Sequence, residues 1–367
     1  MKSVIVVGAG IWGSSLALRL AETGWRVTLV EQHTPGHVRQ SSAGETRLLR
    51  CAHGQDDWYA SLAWRARDGW RALGERVGEP LYLESGMVWF AQHADGWERA
   101  SSAVLERLGI PHSLLGADEG SRFFPDFSGE GLEFLMWEPH AGVIRARRAT
   151  QLTARLAVQE GAELVRGRAV PHGDAVAVDG EVLRADRVVW ACGAWSAALF
   201  PDLPLAVTKQ DTVHFAVPPA WNGIPAWVDY SASAYGHGDV DGVGMKTTSD
   251  AEGLPYEPET GSRVIDQASL EVASAYLGRR FPSLAGSSPL FTQVCQYALT
   301  PDAEWIVHER SPGVWVLGGD SGHGFKHAPA LAAYVAAILE GEQEPEKRFG
   351  LHERLPARGL RTSGMTA

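Results

Sequence analysis

"SVIVVGAGIWGSSLALRLAETGWRVTLVE", residues 3–31, decides the fold. Residues 3–7 (SVIVV), apolar from Val4 on, read as a fully buried strand. "GAGIWG" follows, and from Ser14 to Thr23 apolar residues recur at helical spacing. "WRVTLV" is a second strand, ending at Glu31. The order is strand, glycine turn, helix, strand, with GxGxxG in the turn. Gly8 allows the tight turn, Gly10 lets backbone approach a pyrophosphate, and Gly13 lets the helix pack close to the strand. The helix N-terminus then faces the phosphates, and Glu31 stands where an acid hydrogen-bonds a ribose hydroxyl. The unit predicts a dinucleotide site.

The chain of 367 residues is comfortable for two domains. Apolar content of 45% and charged content of 21% are ordinary for a globular protein. A net charge of −11 makes nucleic acid and acidic membrane surfaces poor partners. The glycines and Ser14-Ser15 interrupt the N-terminal apolar run, so it does not read as a signal peptide. No stretch of 18 apolar residues occurs. Cys51, Cys192 and Cys295 form no CxxC pair, which predicts a reducing, cytoplasmic setting and no cysteine-bound zinc. The histidines show no ligand spacing either, so no metal site is expected. Only Lys2, Lys209, Lys246, Lys326 and Lys347 are lysines, which singles each of them out.

Asp57–Val77 reads as a long amphipathic helix. Residues 81–91 read as a hairpin or strand pair around Ser85-Gly86, and residues 97–108, 117–124, 147–161, 262–281 and 328–341 as helices. Strands are expected within 162–195, 206–249 and 289–317, and the charged chain from Glu342 is expected to be loose. The predicted class is α/β: a Rossmann-like dinucleotide-binding domain interleaved with a smaller mixed-sheet α+β domain. The first takes residues 1–78, 141–204 and 293–345; the second takes 79–140 and 205–292; 346–367 is a tail.

Three later stretches carry the chemistry: "SSAGETRLLRCAHG", "VCQYALTPD" and "GGDSGHGFKH", in that order after GxGxxG. With them the chain resembles the monomeric sarcosine oxidase and N-methyltryptophan oxidase family, D-amino-acid-oxidase-like flavoproteins, over roughly residues 1–345. The resemblance implies FAD and oxidation of an amine C–N bond. It implies a thioether from Cys295 to the flavin 8-methyl group, for which a thiolate is the required nucleophile. It gives Lys326 and Arg50 the substrate carboxylate; a guanidinium fork suits that planar group. Arg47 would lie close to the flavin. The two arginines are three positions apart, an odd number, so on a flat strand they point to opposite faces.

By the same resemblance, Lys246 activates oxygen beside the flavin, and Tyr235 is the active-site tyrosine. Ser42, Val170, Gly322, Gly324 and Phe325 complete the expected cofactor contacts. The sequence departs from the family twice. Ser42-Ala43 replaces a pair of histidines, and Asp250 replaces a histidine four residues after the lysine. Asp250 therefore either meets the substrate amine or turns to solvent, and sarcosine itself is in doubt. His323 stays in the motif; His327 reads as structural.

The implied activity is a cytoplasmic, monomeric FAD-dependent oxidase. It would act on an N-methyl or cyclic amino acid, with oxygen giving hydrogen peroxide. A primary-amine oxidase of glycine or D-amino-acid type, an aromatic hydroxylase, and a non-catalytic flavoprotein subunit of a larger dehydrogenase stay open as alternatives.

Overall fold

A computed structural model describes residues 1–354. Ser3–Val7 (β1) lies inside a six-stranded sheet, parallel to Arg26–Glu31 (β2) on one side and Arg187–Trp190 on the other. Across the sheet the order is Ile306–Ser311, Val314–Gly318, Arg187–Trp190, β1, β2, Glu163–Arg166. Only the terminal hairpin Ile306–Ser311/Val314–Gly318 is antiparallel. All five residues of β1 are buried because both faces of the sheet are covered. Val4 and Val6 pack with Leu16 and Leu20 of helix α1 (Ile11–Glu22), with Trp70, and with Leu331 of the helix Ala328–Glu340. Ile5 and Val7 point the other way, into a core with Val176, Val178 and Trp190. The period of two is that of any strand; covering both faces turns it into a continuous apolar run.

The second sheet has eight strands, ordered Pro289–Leu299, Ala206–Phe215, Met245–Ser249, Ala234–His237, Ala226–Asp229, Met87–Ala91, Phe134–Glu138, Ser113–Gly116. Its core gathers Phe90, Trp227 and Phe215 against Tyr276, Leu277 and Phe281, at the end of the helix Gln267–Arg280. Inside it, Arg280 meets the fully buried Asp229 at 3.1 Å. A charge pair this deep needs further hydrogen bonds to offset desolvation. Tyr276, at 2.9 Å, and Gln92, at 2.8 Å, donate to the same carboxylate.

Asp57–Val77 is a helix with the expected bounds. The Asp56 carboxylate accepts from Tyr59 N at 2.9 Å, and Gly78 ends the helix in the left-handed region at φ 73°. Other expectations shift. The first helix begins at Ile11, three residues early, because Gly10 is already extended and serves as its N-cap. The long helix expected from residue 262 begins at Gln267. Residues 82–83 and 87–91 are not a hairpin: Tyr82–Leu83 pairs with Gly142–Arg145, whereas Met87–Ala91 joins the large sheet. The strand Pro289–Leu299 belongs to the large sheet throughout and crosses residue 293.

The chain after Glu342 is not loose as far as residue 354. Phe349 is fully buried against Trp58 and Trp305, at 5.1 and 5.7 Å between ring centroids. Arg354 bonds Asp302 at 2.7 Å. One aromatic ring outweighed a charged neighbourhood. The remainder of the expected tail, 355–367, lies outside the described residues.

Candidate functional site

The site begins where β1 turns into α1. Gly8 has φ +101°, and a Cβ there would lie 2.5 Å from the Ala191 carbonyl oxygen. A Cβ at Gly13 would lie 1.9 Å from the Gly8 carbonyl oxygen. Both glycines are dictated by backbone crowding, as the fingerprint requires. Ser42 Oγ accepts from Ile11 N at 3.0 Å. The remaining first-turn N–H groups open on a cleft of about 1560 Å³, mouth included, lined by Gly8, Gly10 and Ile11. Glu31 is buried and accepts from Ala9 N at 2.8 Å and His33 N at 2.9 Å, so its carboxylate fixes the turn.

The same cleft is lined by Glu31, Ser42, Arg47, Val170, Cys295, Gly322 and Phe325. Nine of the twelve expected cofactor residues thus share one cavity: those seven with Gly8 and Gly10. Gly13, Gly324 and Lys326 stand behind it. Gly324 O accepts from the indole of Trp12, itself a lining residue, at 3.0 Å. The cleft combines a phosphate-binding helix end, a glycine cradle, an acid at the end of β2 and apolar walls. That donor set fits an extended dinucleotide such as FAD.

Cys295 sits on Pro289–Leu299, facing Gln210 across the ladder, with its thiol in the cleft. Arg47 Nη2 donates to its sulfur at 2.9 Å. Arg47 is held by the carbonyls of Thr46 at 2.7 Å and Ser41 at 2.5 Å. Burial opposes its charge, but Cys295, Tyr235, Tyr297 and Asp320 around it keep its pKa above the ordinary value. Arg47 thus sets a permanent cation against the Cys295 sulfur. Asp320 lines the cleft as well; burial pushes its carboxyl up to about 6, against the Arg47 charge.

Arg50 follows the strand Thr46–Leu49 and lies in different surroundings from Arg47. Its guanidinium stands 5.3 Å from the Trp89 ring and 5.6 Å from Trp97, and bonds the Ala52 carbonyl. Lys326 is buried, with Nζ donating to His323 O at 2.9 Å. Burial, then the charge of Arg50, lowers its pKa well below the usual lysine value. Lys246 is buried on Met245–Ser249, 4.9 Å from the centre of the Tyr235 ring. Asp250 has not turned away: its Oδ1 accepts from the Tyr297 hydroxyl at 3.1 Å, and Tyr297 lines the cleft. Arg50, Lys246, Lys326, Tyr235 and Asp250 are not among the cleft-lining residues; the Arg50 charge acts on Lys326, Lys246 lies over Tyr235, and Asp250 meets the cleft through Tyr297.

Sequence reasoning missed several lining residues: Trp12, Gln40, Trp195, Tyr297 and Asp320. Tyr297 and Asp320 stand inside motifs already singled out. Trp195 closes the glycine turn after Arg187–Trp190, a signal that was legible. Nothing local marks Gln40, which hydrogen-bonds Gly36 N at 2.9 Å.

The family model for FAD dependent oxidoreductases, the DAO family, matches residues 3–338, and the chain belongs to that family. It is 29% identical over 356 residues to a monomeric sarcosine oxidase of Streptomyces avermitilis, covering 91% of this chain and 92% of the relative. It is 24% identical to an N-methyl-L-tryptophan oxidase of Yersinia pestis, over 93% of this chain and 96% of the relative. An L-proline dehydrogenase from P. horikoshii shares the fold, with TM-score 0.83 and 22% identity over 94% of each chain.

Proposed function

We propose that the protein is an FAD-dependent oxidase of a secondary-amine amino acid, an N-methyl or a cyclic one. Hydrogen peroxide is the co-product, and the flavin is tethered to Cys295. The observation that carries this reading is the Cys295 thiol inside the dinucleotide cleft with the Arg47 guanidinium 2.9 Å from its sulfur. The names of the relatives, sarcosine and N-methyltryptophan oxidases, support the substrate class.

Bound FAD supplies a hydride acceptor for the carbon next to the amine nitrogen, and a route for the electrons to oxygen. The chain's residues do the rest. The α1 N-terminus and the glycine turn hold the pyrophosphate. Glu31 orders the turn and presents its carboxylate to the ribose. Arg47 holds the Cys295 sulfur in place for the tether. Arg50 and Lys326 clamp the substrate carboxylate with charge-assisted hydrogen bonds and so fix the amine end. Lys246 places a buried positive charge beside the flavin, where charge develops on oxygen. Asp250, through Tyr297, holds a proton acceptor near the amine. Trp89 and Trp97 beside Arg50 give the pocket an aromatic wall.

All three cysteines are free, which suits a cytoplasmic chain. No helix among the described residues is long and apolar enough to cross a membrane. A monomer is proposed.

Two measurements test the reading. Acid-precipitated protein should stay yellow, and Cys295→Ala should release its flavin into the supernatant. A colourless wild-type pellet overturns the tether. A peroxide-coupled screen of N-methyl and cyclic amino acids should yield substrates that primary amines do not match. Turnover with an artificial acceptor but no peroxide would overturn the oxidase assignment.

A further inference from the structure

The turn that carries Lys326 also carries two histidines, and the fold brings a third to them. His53 lies between the strand Thr46–Leu49 and the helix Asp57–Val77; His323 and His327 flank Lys326. They are 3%, 4% and 0% exposed. One potential ligand nitrogen from each lies within 4.8 Å of the other two. His323 and His327 stand four positions apart, but His53 is some 270 positions away, so only the fold assembles the three.

Two of the rings are each held by one nitrogen. His53 Nδ1 is 2.8 Å from Cys51 O, and His323 Nε2 is 2.9 Å from Ala303 O. A carbonyl only accepts, so each of these nitrogens carries the hydrogen. That leaves His53 Nε2 and His323 Nδ1 as bare lone pairs, buried and without a partner. Both nitrogens of His327 are buried and without a partner too. Unpartnered polar atoms at this depth are rare and call for something to satisfy them. Imidazoles anchored by a backbone carbonyl on the far nitrogen are the usual arrangement of metal-ligating histidines. Aromatic walls surround the three: the Tyr59 ring lies 5.7, 4.9 and 5.8 Å from His53, His323 and His327, and Trp305 lies 5.0 Å from His327.

We propose that His53, His323 and His327 form a binding site for one first-row divalent metal ion of the zinc type. Neutral imidazole suits zinc, copper and nickel, whereas magnesium and calcium want oxygen ligands. Zinc takes three such nitrogens at about 2.0–2.1 Å and leaves a fourth position for water. Tetrahedral angles at those lengths put the nitrogens about 3.3 Å apart, so the rings close in by about 1 Å or less. The ion would pin the "SGHGFKH" turn to the chain after Arg50, and with it the two residues of the proposed carboxylate clamp.

Lys326 and Arg50 oppose a dication there. A carboxylate between them offsets that opposition, and in this respect the affinity, though not the ligand set, rests on the clamp. Linkage then makes the effect mutual: a carboxylate tightens the metal, and the metal tightens the carboxylate.

The test uses untagged, full-length holoenzyme, stripped with EDTA and re-equilibrated with zinc or cobalt(II), with and without saturating benzoate. After gel filtration, metal is counted by mass spectrometry, and cobalt is also read by visible absorption. Expected are one ion per chain with benzoate, a tetrahedral cobalt spectrum, and at least tenfold weaker binding without benzoate. His53→Gln and His327→Gln should retain less than a tenth of an ion. Wild type without metal in both conditions overturns the site and leaves an internal water there instead. An octahedral cobalt spectrum, or variants that retain as much metal as wild type, overturns it equally. Should a variant fail to keep its flavin, the wild-type counts and spectrum decide alone. Equal metal binding with and without benzoate upholds the site and overturns the clamp.

Discussion

The two ends of the candidate site are built from different materials. At the α1 end the chain uses backbone: glycine contacts, first-turn N–H groups, and a Glu31 carboxylate on Ala9 N and His33 N. At the proposed substrate end it uses whole charges. Arg50, Lys246 and Lys326 are 6%, 2% and 3% exposed, and the charge of Arg50 acts directly on Lys326. The first end is built largely from backbone dipoles, and its one carboxylate, Glu31, is already met by two backbone N–H groups. The second gathers like charges at a desolvation cost that a substrate carboxylate would relieve. A backbone cradle suits a group that stays; buried cations suit a carboxylate that comes and goes.

The contrast can be broken first at the cradle. Gly13→Val sets side-chain atoms against the Gly8 carbonyl, where even a Cβ would sit at 1.9 Å. We expect no retained flavin, read from the absorbance of purified protein; a normally loaded variant would show that this backbone contact is not needed.

At the other end, Lys246→Met should slow flavin reoxidation by ~10²–10³, typical for one lost charge-stabilising group. Flavin reduction should change far less. Stopped-flow traces in which both steps slow alike would remove the distinction.

Next come Arg50→Ala and Lys326→Ala, each expected to weaken a carboxylate inhibitor by roughly 1.5–3 kcal/mol. Here pH adds a second readout. The clamp needs Lys326 protonated, and burial lowers its pKa well below the usual lysine value. Affinity should therefore fall with rising pH earlier than an ordinary lysine would dictate. Lys326→Ala should lose that alkaline limb while Arg50→Ala keeps it.

The smallest effect concerns the seam between the regions. His237 Nε2 lies 2.7 Å from Thr46 Oγ1, and burial, then Lys246, pushes its pKa down to about 3. His214 is pushed to about 2 for the same reasons. Both stay neutral when folded but take up a proton on unfolding below about pH 6.5. Stability is thus fully present above that pH and lost as pH falls, by about 1.4 kcal/mol per pH unit for each histidine. Urea midpoints from pH 7 to pH 5 should show this slope, and His237→Gln should reduce it. An unchanged slope would mean that other groups set the acid limit.

The same division separates what was legible in the sequence from what was not. The residues 3–31 determined the dinucleotide half alone. Its signals are local: an apolar run, glycines at fixed offsets, an acid at a strand end, all fixed by backbone sterics within one βαβ unit. The bounds of Asp57–Val77 were legible for the same reason, through a cap at Asp56 and a left-handed Gly78. Cys295, Arg50 and Lys326 were nameable only through motif resemblance, because nothing in their immediate neighbours demands a thiol or a charge. That Arg47 lies against Cys295, 248 positions away, that Asp250 meets Tyr297, and that Phe349 anchors an apparently loose tail were decided by the tertiary structure. So was the meeting of His53 with His323 and His327. Burial and charge proximity are properties of what surrounds a side chain in space, and the chain brings those surroundings together only when its sheets and helices pack.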